Sequence, residues 1–325
     1  MKIMIAAGGT GGHVFPGLAV ANVLRQRGHQ VVWMGTPDSF EARTVPKHGI
    51  EVRFVRVKGL RGKGALSWLG APLRLLRALG EALAVLASRR GAQLVLSARR
   101  PAELERVRGL CADPAQVKLL PLDLEGVDAE AAAQQAQALF GRIDVLVNNA
   151  GISQRSLFKD TAMPVYRRIM ELDFFAPVAL TRALLPAMRQ RGTGHVVMIG
   201  SVVSKIGAPL RSGYAAAKHA LAGFTEAARA ELWRDGLKFT LVCPGFVHTQ
   251  VSVNALSGSG DRHGVMDQTI GQGLSAEACA EAIWRGVEKD KEELLIAGRE
   301  GAYVLLKRLL PGLFSYALKR AAPTQ

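Results

Sequence analysis

From residue 93 to residue 296, short apolar runs alternate with longer helical patterns. Runs suited to strands fall at 93–97, 117–122, 143–147, 195–200, 238–243 and 293–296. Helical periodicity fills the intervals at about 101–111, 128–140, 160–191, 212–235 and 276–288. Few folds accept this order. Parallel strands need a crossover, and helical crossovers cover both faces of the sheet. The expected class is α/β, with a doubly wound, mostly parallel sheet. One Gly/Ser-rich stretch, 252–275, interrupts the order and reads as a mobile loop.

The first third of the chain is organised differently. An apolar run at Lys2–Ala7 ends in Gly8-Gly9-Thr10-Gly11-Gly12. A helical pattern from Pro16 to Gly28 leads to an apolar run at Gln30–Met34. Phe40–His48 suits a short helix, and Glu51–Val57 alternates apolar and charged residues as a strand with one covered face does. A basic loop, Lys58 to Gly64, follows. From about Ala65 to Arg90 the pattern is helical, broken only at Gly70, Pro72 and Gly80. No apolar strand run stands directly before Gly80.

Composition bounds the class. The 325 residues are 49% hydrophobic and 21% charged, a globular balance with room for one large or two medium domains. Cys111, Cys243 and Cys279 lie far apart without metal-ligand spacing, so no metal and a reducing, cytoplasmic compartment are expected. The opening MKIMIAAGG is too soon interrupted by glycine to read as a signal peptide. The most apolar late stretch, 302–321, is broken by Lys307, Arg308, Pro311, Lys319 and Arg320, which argues against a span. Net charge is +15, and residues 1–79 carry 12 Lys/Arg against 3 Asp/Glu. A basic surface of this kind attracts anionic partners or is simply a solvated face. Without aromatic interleaving or a nucleic-acid motif, no nucleic-acid partner is expected. Peripheral membrane contact, at the inner face, is the extension suggested by the basic N-terminal segment and the mixed Leu/Lys/Arg tail.

The residues that carry chemistry centre on Ser201, Tyr214 and Lys218. The string Tyr-Ala-Ala-Ala-Lys puts Tyr214 and Lys218 on one helix face. An ammonium beside a phenol favours the phenolate and lowers the tyrosine pKa, which makes a proton donor and acceptor usable near neutral pH. Ser201, after the apolar run VVMIG, can hydrogen-bond a substrate oxygen. A YxxxK pair is common by chance; the serine 13 positions upstream, behind a buried strand, is what lifts it.

With these residues in view, 80–297 resembles the short-chain dehydrogenase/reductase (SDR) family. The likeness includes Asn148-Asn149-Ala150-Gly151 after the fourth family strand, then Ser201, Tyr214 and Lys218, then Pro244-Gly245 with Val247 and Thr249. The resemblance implies an oxidoreductase that moves a hydride between a nicotinamide cofactor and a small carbonyl or alcohol substrate. Tyr214 would be the acid/base, Lys218 would tune it and bind the nicotinamide ribose, and Ser201 would orient the substrate oxygen. Asn149, Ala150 and Gly151 would shape the cofactor pocket, Asp123 and Leu124 would meet the adenine, and Pro244, Gly245, Val247 and Thr249 would flank the nicotinamide. Arg99 and Arg100, where an acidic residue would select NAD, imply NADP, with a solvated Arg pair as the alternative. The family also implies a homo-oligomer. Two departures stand out. Asp173 occupies the place of a relay asparagine and cannot donate when ionised. The TGxxxGxG phosphate turn is absent: only Gly80, its last glycine, remains, with Ala78 and Arg74 at the other two positions.

Residues 1–79 resemble a second family. GGTGGHVFPGLAVA, MGTPDSFEARTVPKHGIEV and GLRGKG are similar to the start of the UDP-N-acetylglucosamine transferase of peptidoglycan synthesis, the MurG family. There the glycine loop and His13 belong to the acceptor-side domain. No second, donor-binding domain follows, so sugar transfer is not expected. The expected organisation is a glycosyltransferase-like α/β segment at 1–79, an SDR-like domain lacking its usual first strand at 80–297, and a basic amphipathic tail at 298–325. Three readings follow: an SDR oxidoreductase, an inactive fusion of two family fragments, or a hexosyltransferase fragment. Two ways of restoring a phosphate cradle are conceivable, one through strand 2–7 with Gly8 and Gly12, the other through strand 51–57 with the Gly59–Gly64 loop.

Overall fold

The structure is a computed structural model of the chain. It describes residues 2–6, 26, 30–35, 40–54, 77–247, 255–261 and 273–321. The expected helix at 16–28, the loops 7–12 and 58–64, His13, the stretch 65–76, Thr249 and most of the 252–275 loop lie outside the described residues. The chain divides into two compact units, Met1–Leu66 and Ser67–Gln325.

The first unit holds a parallel three-stranded sheet in the order β1–β2–β3: β1 is Lys2–Ala6, β2 is Gln30–Gly35 and β3 is Glu51–Phe54. Lys2 aligns with Gln30 and Val32 with Glu51. Helix α1 (Phe40–Thr44) runs into a 3-10 turn, Val45–His48, that ends on Gly49 at φ 67°. Val45 and Ile50 are buried beneath it.

The second unit opens, among the described residues, with helix α2 (Arg77–Arg89). Its parallel strands form two separate groups. β4 (Leu94–Ala98) pairs with β5 (Val117–Pro121). β6 (Val145–Asn148), β7 (Gly194–Ile199), β8 (Leu237–Pro244) and β9 (Glu293–Ile296) follow one another in sheet order. Among the described residues no strand joins the two groups, and none lies between β3 and α2. This is the split expected of a doubly wound domain short of its first strand. The apolar Val145 of β6 is left 39% exposed.

The helices between these strands are α3 (Pro101–Arg108), α4 (Ala129–Phe140), α5 (Met163–Met170), α6 (Ala176–Arg191), α7 (Ser212–Leu232) and α8 (Ala276–Glu288). Two more, α9 (Gly301–Leu309) and α10 (Pro311–Ala321), close the described chain. The helices cover the four-stranded sheet on both faces. On one face α6 and α7 bury Leu184, Met188 and Leu221 against Val196, Met198 and Leu241. On the other, α2 and α8 bury Leu79, Leu83, Cys279 and Ile283 against Val197, Ile199 and Val242. Apolar burial of this extent supplies most of the favourable folding energy. Polar contacts fix how α2 sits on α8: Trp284 Nε1 donates to the Leu83 carbonyl at 3.0 Å, and Arg90 reaches Glu281 and Glu288 at 3.0 and 2.9 Å.

The expected single helix at 160–191 is not continuous. A π-helical turn, Glu171–Phe175, separates α5 from α6. The turn is only five residues long, too short for sequence periodicity to register, and such turns recur at functional sites.

Candidate functional site

The π turn is what aims Asp173 inward. It lies between α5 and α6, and the Asp173 side chain is fully buried. One carboxylate oxygen, Oδ1, accepts from the Ile152 amide at 2.7 Å. The other, Oδ2, lies 3.2 Å from Lys218 Nζ. Gly151 permits this approach, since a Cβ there would stand 3.0 Å from Oδ2.

Tyr214 and Lys218 project from one face of α7, as their spacing of four requires, and both are buried. Lys218 Nζ sits 5.7 Å from the centre of the Tyr214 ring and donates to the Ile199 carbonyl at 3.1 Å. Ser201 begins the turn after β7, near enough to Tyr214 to lower its phenol pKa. A capping box fixes that turn: the Ser201 hydroxyl accepts from the Val203 amide at 3.4 Å, and the Ser204 hydroxyl accepts from the Ser201 amide at 3.1 Å. Ser201, Tyr214, Lys218 and Asp173 therefore converge at the C-terminal end of β7, where a doubly wound sheet places its ligands.

The electrostatics differ from the sequence expectation in one respect. Burial pushes the Tyr214 phenol above the ordinary tyrosine range. Lys218 pulls it down, Asp173 pushes it up again, and Arg211 and the Ser201 hydrogen bond lower it, but burial prevails. The net lowering expected from the YxxxK spacing is thus not reached, because spacing reports the cation and not the loss of water. Burial works against the Lys218 ammonium too, yet Asp173 and Tyr214 outweigh it and hold Lys218 above its usual value. Burial also raises Asp173, against the opposing pull of Lys218 and the Ile152 amide.

The remaining sequence candidates spread around this centre. Asn149, after β6, stands against the first turn of α2: a Cβ on Gly80 would lie 2.9 Å from its Nδ2. Residues 77–80 are helical and Leu79 is buried, so this part of the stretch aligned with the glycine turn is helix. Asn148 is a buried tie, its Nδ2 donating to Thr181 Oγ1 at 3.2 Å. Ala150 is exposed and Gly151 half-buried. Pro244 ends β8, and Gly245 donates to the Ile296 carbonyl at 2.9 Å. Val247 is buried and bridges to Leu274. Arg99 and Arg100 are exposed just past β4, and the Arg100 carbonyl accepts from Glu103 at the start of α3. Asp123 is exposed, with Leu124 half-buried beside it, and its carboxylate accepts from the Glu125 amide at 3.1 Å.

Two positioning residues have no local sequence signal. Gln154 is fully buried, and its Oε1 accepts from the Gly213 amide at 2.7 Å, one residue before Tyr214. Its Nε2 donates to Thr161 Oγ1 at 2.9 Å and Ser156 Oγ at 3.2 Å. Glu300 Oε1 accepts from the Phe246 and Gly298 amides at 2.8 and 3.1 Å, which fixes the loop after Pro244. Only the folded chain brings Gly213 to Gln154 and Phe246 to Glu300.

Comparison with known proteins agrees with this geometry. The short chain dehydrogenase family model matches residues 76–259, more than half of the chain, and the glycosyltransferase family 28 N-terminal domain matches residues 3–101. Among relatives, dehydrogenase/reductase SDR family member 7B of Rattus norvegicus is 40% identical over 253 residues, 77% of each chain. A dehydrogenase/reductase SDR family protein 7-like of Anopheles gambiae is 40% identical over 288 residues, 86% of this chain and 87% of its own. The member 7B proteins of Mus musculus and Bos taurus, at 44% and 45% identity, are matched over only 58% and 57% of their length. A short-chain dehydrogenase structure from Streptomyces avermitilis superposes with a TM-score of 0.63 at 28% identity, over 74% of this chain and 93% of that one. The N-terminal segment is similar to the glycosyltransferase domain, and over its larger part the chain belongs to the short chain dehydrogenase family.

Proposed function

We propose that this chain is an NADP(H)-dependent oxidoreductase that interconverts a carbonyl and an alcohol. The observation that carries the reading is the convergence of the half-buried Ser201 with the buried Tyr214, Lys218 and Asp173. A bound nicotinamide supplies the hydride; the protein's part is to orient, to exclude water and to move a proton. The Tyr214 hydroxyl gives its proton to the alkoxide oxygen in reduction and takes it back in oxidation. Ser201, beside that hydroxyl, orients the substrate oxygen. A Tyr214 raised by burial favours the protonated, donor form, which suits carbonyl reduction.

The residues fit the nicotinamide end of the cofactor. An ammonium has three N–H donors; one goes to the Ile199 carbonyl, Asp173 balances the charge at 3.2 Å, and a ribose hydroxyl can take a further N–H. Gly80 lets the Asn149 side chain pack close to helix α2, and Gly151 lets Asp173 pack close to the loop after β6. The exposed Arg99 and Arg100 offer a guanidinium pair to a 2′-phosphate. Two related folds, a metagenomic short-chain oxidoreductase at 27% identity and a TM-score of 0.55, and one from Burkholderia cenocepacia at 21% and 0.61, were solved in complex with NADP.

One observation favours a second reading, a fusion that keeps the catalytic face without a working cofactor grip. Residues 77–80 are helix where phosphate would need a glycine turn. An assay separates the two. NADPH consumption is followed with a panel of ketones and aldehydes, for the wild type and Tyr214→Phe. Turnover that falls about a hundredfold or more in the variant supports the oxidoreductase. No turnover with any carbonyl in the panel supports the second reading.

A further inference from the structure

The last two helices form a hairpin with two unlike faces. Its inner face is anchored: Phe314 is buried with Val202 and Ile206, and Val304, Leu306 and Leu318 pack around them. Lys307 Nζ fastens it further by donating to the Lys205 carbonyl at 2.7 Å. Val202 directly follows Ser201, so the hairpin is moored to the turn that the catalytic serine begins.

The outer face is apolar and open. Leu309 is 72% exposed, Leu305 60%, Leu310 55% and Leu313 53%, with Tyr303 and Tyr316 half open beside them. Leu309, Leu310 and Leu313 sit within five residues, around the Pro311-Gly312 corner where α9 passes to α10. Scattered exposed leucines need no explanation, but a contiguous cluster at a hairpin tip marks a contact surface. Its charge is of one sign. Residues 301–321 contain Lys307, Arg308, Lys319 and Arg320 and no Asp or Glu. The Arg320 guanidinium lies 4.7 Å from the centre of the Tyr316 ring.

Charge decides among partners. A symmetric contact between two copies brings each patch onto itself, and with it Arg308, Lys319 and Arg320 against their own kind. An anionic lipid surface instead offers hydrocarbon to the leucines and phosphate to the cations. Among the described residues no helix is long and apolar enough to cross a membrane. At 11 residues α10 spans about 16 Å, half a bilayer core. We infer that the Gly301–Ala321 hairpin docks flat on anionic phospholipid, with Leu309, Leu310 and Leu313 inserted at the interface. This inference does not depend on the proposed redox activity.

The test is flotation of the full-length chain with vesicles of phosphatidylcholine alone or mixed with phosphatidylserine. Binding is expected only to the mixed vesicles, and it should weaken as salt rises. Leu309→Ser combined with Leu313→Ser should lower binding about tenfold or more with an unchanged melting temperature, because neither side chain is anchored in the core. Arg308→Ala with Arg320→Ala should remove much of the phosphatidylserine preference. Equal binding by the wild type and the leucine variant, through the basic N-terminal segment for example, overturns the assignment. So does concentration-dependent dimerisation that the leucine variant abolishes while vesicles bind neither protein.

Discussion

Lys218 Nζ and Asp173 Oδ2 lie 3.2 Å apart with both side chains buried, the lysine on α7 and the aspartate in a π turn between α5 and α6. Breaking such a pair from one side leaves a charge without water or partner. Lys218→Met should destabilise the fold by about 3 kcal/mol, whereas Lys218→Met with Asp173→Leu should cost less than about 2 kcal/mol. In the single variant Asp173 loses its cation while burial still raises it, so the folded carboxyl binds its proton more tightly than the unfolded one. Stability is then full below the ordinary carboxylate range and is lost as pH rises from there through the raised folded value. Chemical denaturation of the three proteins at pH 5 and pH 8 checks both statements.

Gln154 holds the helix that carries Tyr214. Its Oε1 is the acceptor for the Gly213 amide at 2.7 Å, at the start of α7. Gln154→Leu leaves that buried donor unsatisfied and should cost about 2 kcal/mol. A looser first turn misplaces the phenol as well, so turnover should fall about tenfold while KM changes little. Gln154→Glu, which keeps an acceptor at the same reach, should recover part of the rate. A stability loss with turnover intact would reduce Gln154 to a packing residue.

Gly80 separates helix stability from cofactor contact. A Cβ there meets the end of the Asn149 side chain at 2.9 Å, and that amide can swing away. Gly80→Ala should therefore leave the melting temperature unchanged or slightly higher, since alanine is favoured over glycine inside a helix by about 1 kcal/mol. The displaced Asn149 should weaken NADPH binding about tenfold, the equivalent of about 1.4 kcal/mol. Thermal melts with and without NADPH read both quantities.

His195 on β7 is buried, with Nε2 2.8 Å from Thr240 Oγ1. Burial lowers its pKa, Asp290 opposes the shift and Lys238 adds to it. Because the unfolded histidine takes up its proton first, the unfolded state gains protons as pH falls below about 6.5. Stability should thus be full above that pH and decline below it, toward the lowered folded value. His195→Gln should show a flatter melting-temperature profile between pH 7.5 and 5.5. A profile as steep as that of the wild type would assign the acid sensitivity elsewhere.

Sequence patterns reached the elements whose signals are local. Helix Ala276–Glu288 and strand Glu293–Ile296 lie where periodicity puts them, and the YxxxK spacing set Tyr214 and Lys218 on one face. The π turn was not legible, since five residues within 160–191 are too few for periodicity to resolve. Nor were Gln154 and Glu300, whose partners Gly213 and Phe246 lie 59 and 54 residues away along the chain. The Tyr214 shift reversed because its largest cause, loss of water, is a property of the folded core and not of a four-residue spacing.

The proposed function requires Ser201, Tyr214, Lys218 and Asp173 to hold NADPH beside a helix at 77–80. Fluorescence titration of the full-length chain with NADPH tests it most directly, run beside Lys218→Met combined with Asp173→Leu, the variant expected to stay folded. The expected result is saturable binding by the wild type, tighter than for NADH, and its loss in the variant. No saturation by the wild type at millimolar NADPH, or equal binding by the variant, would contradict it.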